Sequence, residues 1–295
     1  MEKFLTLTLS FEGSNADNHA IDLYDVSSAL LGFERTLALT THLILNQEVI
    51  TQAPSLKNAQ IMSFPSKEGS WKMTVGVILT GAYALGTLSN DSPLGHLVFS
   101  AYDYVISESL GVHVDYNKSL GVLYEESKNK DLPKIEEYQL DSIRDKCINS
   151  IKEMHRPIFK SNTADKLKIF ATLDEKELPL STDFTHSTYA YLKEDIKGKE
   201  ITDVECVVSS YNINTKKGRV SVKLLGRTVP FELHKSIEND KKILEILLRN
   251  FQRNGLREKN EEIENIKITV LPILSINNHL KQYVVYNISD INSSN

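Results

Sequence analysis

Apolar and polar residues alternate from Phe4 to Phe11 with the period of a half-buried strand, and further along the chain the period lengthens to that of a helix. Leu23, Val26, Leu30, Phe33, Leu37, Thr41 and Ile44 recur at helical spacing behind Asp22. The Asp22 carboxylate suits an N-cap, and Asp25 in the first turn faces the positive end of the helix dipole. Leu31, Ala38, Leu39 and Leu43 widen the apolar face past what a surface helix needs, so the pattern predicts a central helix. Ala59–Phe64 and Ser70–Val75 read as strands of a hairpin around Ser66-Lys67-Glu68-Gly69. Met73 to Asn90 has no charged residue across 18 positions, the lower limit for a membrane span. Gly76, Gly81, Gly86 and Ser89 dilute it, and the prediction is a buried strand leading into a small-residue core helix. A further helix is predicted from Pro93 to Leu110, with Leu97, Tyr104 and Ile106 as core candidates.

Periodicity stops at Glu125-Glu126-Ser127-Lys128-Asn129-Lys130-Asp131-Leu132-Pro133, where a proline closes a charged run. Beyond it a helix is predicted from Ile135 to His155, with Ile143, Cys147, Ile151 and Met154 on one stripe and Arg156-Pro157 at its end. After a less readable span, strands are predicted over Ile201–Tyr211, Arg219–Leu225 and Thr228–Leu233. A helix over Asp240–Asn254 follows, aligning Ile243, Leu247 and Phe251, with Gly255 at the place of a left-handed cap. Strands over Ile266–Leu274 and Gln282–Ile288 close the pattern. The fold class is α+β: an N-terminal unit of strand, long helix and hairpin, a helical middle, and a small β-rich C-terminal module with one helix, expected as a half-barrel. The domain reading is an acidic α+β domain over residues 1–125, a helical connector over 126–200, the β-rich module over 201–290 and a frayed tail over 291–295.

Composition changes this picture in three ways. A 41% hydrophobic, 25% charged chain of 295 residues has the makings of one large or two ordinary cores, which sets disorder aside. The net charge of −5 is uneven: residues 1–125 carry 6 Lys and Arg against 13 Asp and Glu, and the remainder 28 against 26. An acidic first part repels a phosphate backbone, and the remainder is nearly balanced, so direct nucleic-acid binding is not expected. Two distant cysteines, Cys147 and Cys206, suggest neither a disulfide framework nor a zinc site. With no secretory pattern at Met1-Glu2-Lys3-Phe4, the expected place is the cytoplasm, that of the host if the gene is a phage's.

Candidate chemistry is sparse. Glu12, Asp17, His19, Asp22 and Asp25 lie within 14 positions and offer hard oxygen ligands and an imidazole, as a metal-dependent hydrolase would use. Their spacing matches neither an EF-hand nor a two-His metal pattern, and acidic residues before a helix are also what caps and Asx turns require. Gly13-Ser14 lacks the further glycines and the Lys-Ser/Thr pair of a phosphate loop. No GxSxG or SxxK run accompanies the cysteines or the scattered histidines. Lys216, Lys217, Arg219, Lys223 and Arg227, with Lys241 and Lys242, form a basic set on neighbouring strands that a regulatory or nucleic-acid-associated module would use. Glu205, Glu232, Glu238 and Asp240 interleave with it, as on a solvated face. Trp71 stands after the hairpin turn, either as an exposed anchor or on the inner face of the sheet. The residues assign no catalytic, cofactor-binding or metal-holding position, and no enzyme is expected.

Two segments carry a resemblance. They are Ser10-Phe11-Glu12-Gly13 with Asn18-His19-Ala20-Ile21-Asp22-Leu23-Tyr24-Asp25, and Gly218-Arg219-Val220-Ser221-Val222 with Gly226-Arg227-Thr228-Val229-Pro230-Phe231-Glu232-Leu233. Together they resemble a family of bacterial and prophage proteins of about this length, and within that neighbourhood the chain is similar to phage anti-defence proteins that inhibit the Gabija complex. The resemblance implies a non-enzymatic oligomer that assembles around a bacterial anti-phage nuclease and helicase complex and blocks its use of DNA.

Overall fold

The strand and helix periods of the N-terminal segment become β1 (Leu5–Glu12) and α1 (Leu23–Asn46), with Asp22 as the N-cap accepting from the Asp25 N–H at 2.9 Å. The computed structural model describes residues 5–50, 56–64, 71–80, 92–126, 132–173, 176–257, 263–276 and 278–291. The predicted hairpin turn 66–69, the charge-free stretch after residue 80 and the tail after residue 291 lie outside the described residues. The chain divides into two compact units, Met1–Leu192 and Lys193–Asn295. Among the described residues no helix is long and apolar enough to cross a membrane.

The first unit continues with β2 (Ala59–Phe64), β3 (Trp71–Leu79), α2 (Pro93–Ser109), α3 (Val122–Glu126), α4 (Glu137–Met154), α5 (Arg156–Phe159), β4 (Lys166–Leu173), β5 (Lys176–Pro179) and α6 (His186–Lys193). Its sheet has the order β2-β3-β1-β4-β5, antiparallel throughout, with β1 at the centre. Leu5, Leu7, Leu9 and Phe11 alternate onto one face, each at most 1% exposed, and share a core with α1, α2 and α4. Trp71 lies opposite Phe11 on that inner face, its ring edge-on at 5.6 Å. Of the segment expected as a helical connector, 126–200, the part up to Leu192 supplies α4 to this helical layer and β4 and β5 to this sheet and belongs to the first unit, whereas β6 belongs to the second. At Gly32 of α1 an added Cβ would stand 2.5 Å from the Ser150 carbonyl of α4, which measures how closely these helices approach.

The expected core stripe of α1 needs correction at two places. Leu23 is 78% exposed and Leu31 70%, together with Tyr24 at 70%, because the core takes up only the Val26, Ala29, Phe33 and Leu37 side of the first turns.

The second unit holds β6 (Ile196–Lys197), β7 (Thr202–Asn212), β8 (Lys217–Val222), β9 (Arg227–Leu233), α7 (Lys241–Leu256), β10 (Ile266–Leu274) and β11 (Leu280–Asp290). The strands run β11-β9-β8-β7-β10, and β10 pairs again with β11, so the module expected as a half-barrel closes fully into five strands. β7, β8 and β9 form an antiparallel meander, α7 crosses over, and β11 returns parallel to β9 while β10 seals against β7. Closure removes the open edges that make sheets stick together. Val208, Val220, Val229, Phe231, Val270 and Val285 fill the interior, with Leu247 of α7 against them. Asn250 of α7 accepts from the Val208 N–H at 2.9 Å and donates to the Glu264 carbonyl at 2.7 Å. Gly255 stays inside α7 instead of capping it, and Phe251 is 40% exposed.

Candidate functional site

The acidic turn after β1 is folded onto the chain that leads into β4. Gly13 has a φ of 81°, and a Cβ there would stand 2.2 Å from the Asp165 carboxylate, so only glycine passes at this point. Ser14 and Asn162 are both left-handed at φ 51°, and Ser14 Oγ donates to the Asn162 carbonyl at 2.9 Å. Ala16 N–H donates to the Thr163 carbonyl at 2.9 Å and Asp165 N–H to the Glu12 carbonyl at 2.8 Å.

Each acidic group of the turn has a structural partner of its own. Asp17 accepts from the Gly13 N–H at 2.8 Å, Asp22 caps α1, and His19 is an exposed left-handed residue. Asp25, 4% exposed, accepts from Arg156 Nε at 2.9 Å and from the Ser161 N–H at 3.1 Å. Glu12 meets Lys166 at 3.2 Å and Lys168 at 3.0 Å. Burial would raise the Glu12 carboxyl, but these two ammonium groups hold it below the usual carboxylate range. The turn is therefore a latch that ties the start of α1 to α5 and β4. Among the described residues, no three His, Cys, Asp or Glu come together to hold a metal.

Elsewhere in the first unit a groove of about 790 Å³ is lined by Lys168, Phe170, Asp183, Thr185, Ser187 and Thr188, among others. Fully buried behind it, His155 contacts the Ile151 carbonyl through Nδ1 at 2.8 Å and the Thr188 hydroxyl through Nε2 at 3.0 Å. A carbonyl only accepts, so Nδ1 carries the proton and Nε2 accepts from Thr188. Burial pushes the imidazole down to about 4 and keeps it neutral. A hydroxyl against an oriented imidazole is also the arrangement of an activated nucleophile. Here Thr188 and Thr185 cap α6 reciprocally, each hydroxyl accepting from the other's N–H at 2.8 and 3.3 Å, and His155 is sealed away from the groove. Sequence reasoning passed over this pair because 33 positions separate its members and no motif joins them.

The basic set of the second unit does not form one surface. Arg219 is fully buried and donates to Thr228 Oγ1 at 3.2 Å, and Arg227 donates to the Leu280 carbonyl at 3.0 Å. Lys217 lies across from Glu232, whereas Lys223, Lys241 and Lys242 are exposed. Tyr211 stacks on the core residue Phe231 at 6.3 Å and 5°. Cys147 and Cys206 are buried as the pattern expects, and burial pushes both thiols up to about 12, which leaves almost no thiolate at neutral pH.

One exposed cluster was not singled out by the sequence. Leu23, Tyr24 and Leu31 share an outward face of α1, and the Arg156 guanidinium lies 4.9 Å from the centre of the Tyr24 ring.

These features define a two-unit α+β protein whose first unit is latched by its own acidic turn and whose second is a closed five-stranded barrel. Residues 7–193 match the family described as Domain of unknown function (DUF7946), and the chain belongs to that family. The match spans the first unit almost end to end and leaves the barrel outside it. No curated protein and no solved structure matches the chain.

Proposed function

We propose that the protein acts by occupying a surface of another protein, and that the partner is a bacterial anti-phage nuclease complex of the Gabija type whose access to DNA it occludes. The observation that supports surface binding is the outward face of α1 in the family-matched unit, where Leu23, Tyr24 and Leu31 are 78%, 70% and 70% exposed. Large apolar side chains held in water gain free energy when a partner covers them, by about 25 cal/mol per Å² buried. Tyr24 under the Arg156 guanidinium brings together two residue types that dominate binding hot spots. The identity of the partner rests on the sequence resemblance alone. Self-association of the chain would add avidity to a modest contact.

Light scattering of the full chain, alone and mixed with the nuclease subunit, tests this. A stable complex is expected at micromolar concentration, weakened at least tenfold by Tyr24→Ala combined with Leu31→Asp. No complex with the wild-type chain overturns the partner, and a complex indifferent to the double substitution overturns the α1 face.

A further inference from the structure

The second unit carries a surface that the α1 face does not involve. β9 and β11 run parallel, and their last paired residues are Leu233 and Val285. The His234 N–H then donates to the Val285 carbonyl at 2.9 Å, which sets His234 beside Tyr286. The rings stack with centroids 4.4 Å apart and an interplanar angle of 24°. Tyr286 reaches this position through a bulge: Val285 pairs with Val270 and Asn287 with Thr269, so Tyr286 is the extra residue of β11. Bulges re-aim side chains in this way. The imidazole is held by Ser236, whose Oγ lies 2.7 Å from Nδ1, and both rings remain partly exposed.

Two lysines lie next to the stacked pair along the backbone. Lys216 sits in a left-handed turn at φ 58° and its carbonyl accepts from the Leu233 N–H at 3.0 Å, while exposed Lys235 follows His234 in the chain. Neither makes an ion pair with a described residue. Glu238, whose N–H donates to the His234 carbonyl at 3.1 Å, keeps the rim from being a purely positive field. An aromatic platform with a few cations fits a ligand that offers flat unpaired bases on an anionic backbone. The strand order, with a meander, a crossing helix and a parallel return, is that of the OB type of Greek-key barrel, a fold-level analogy in the same direction.

We propose that the barrel binds single-stranded nucleic acid at this rim, with His234 and Tyr286 stacking on bases and Lys216 and Lys235 contacting phosphates. Two phosphate contacts give a shallow salt dependence, a slope of about −1.4 in log K against log salt for a single strand. Paired bases present no free face, so duplex is a poor ligand.

Fluorescence anisotropy with the full chain and labelled oligo-dT, oligo-U and a duplex of equal length provides the test. Binding to one or both single strands, at least tenfold over duplex, is expected, and the two strands report whether DNA or RNA is preferred. Tyr286→Ala and His234→Ala should each weaken it at least fivefold and Tyr286→Phe should not, since base stacking on an aromatic ring is worth about that much or more. Lys216→Glu with Lys235→Glu, at a half-buried and an exposed position, should weaken it at least tenfold even if Tyr286→Ala disturbs the barrel. No binding at tens of micromolar, equal binding to duplex, or unchanged affinity in a folded Tyr286→Ala or in the double lysine variant overturns the proposal. None of these outcomes touches the α1 face, whose test uses a protein partner.

Discussion

His155 is the residue with the clearest solution signature. Its imidazole is depressed to about 4 by burial, against an ordinary value near 6.5 in the unfolded chain. The unfolded state therefore takes up a proton first as the pH falls, and stability drops between about pH 6.5 and 4. The effect is full below that window and absent above it, and a shift of this size corresponds to about 3 kcal/mol. Urea midpoints of the wild-type chain should fall across this range faster than those of His155→Gln, which cannot titrate. A neutral Nε2 accepting from Thr188 is what the pair loses, so the α6 cap should loosen in the same window.

At the scale of elements, the contact of α1 with α4 is decided at Gly32. Alanine has the better helix propensity by about 1 kcal/mol, yet its Cβ would meet the Ser150 carbonyl at 2.5 Å. Backbone on backbone cannot give way cheaply, and overpacking costs about 1–3 kcal/mol. Gly32→Ala should therefore lower the urea midpoint despite its propensity, whereas Leu31→Ala, on the exposed neighbour, should leave the unfolding free energy within about 0.5 kcal/mol of the wild-type value. These two adjacent positions also mark what the pattern reveals. Periodicity locates α1 and its Asp22 cap, because both depend on nearby residues, but it cannot say which part of a wide apolar face finds a partner. β4 shows the same limit from the other side: its register with β1 joins Leu9 to Ile169, across most of the first unit, and no local signal announces that pairing. The barrel strands are legible as strands, while closure depends on β10 meeting both β7 and β11. Of the candidate sites, the acidic turn is visible in the sequence, as is its role as a cap, but its roles as latch and ion pair are set by residues 156–168. The His234 and Tyr286 platform is invisible there, since a one-residue bulge creates it.

At the scale of the whole molecule, the two units keep separate apolar cores, one running from Leu5 to Leu192 and the other from Cys206 to Ile288. The only two cysteines fall one in each: Cys147 on α4 and Cys206 on β7. Neither sulfur can meet a thiol reagent while its surroundings stay packed, so each acts as a built-in clock for the opening of its own half. Pulse labelling under native conditions, resolved peptide by peptide, should give two modification rates, and raising the urea concentration should move them independently. A single shared rate would mean that the halves open as one. No engineered probe is required, because the chain already marks its two halves with one sealed thiol apiece.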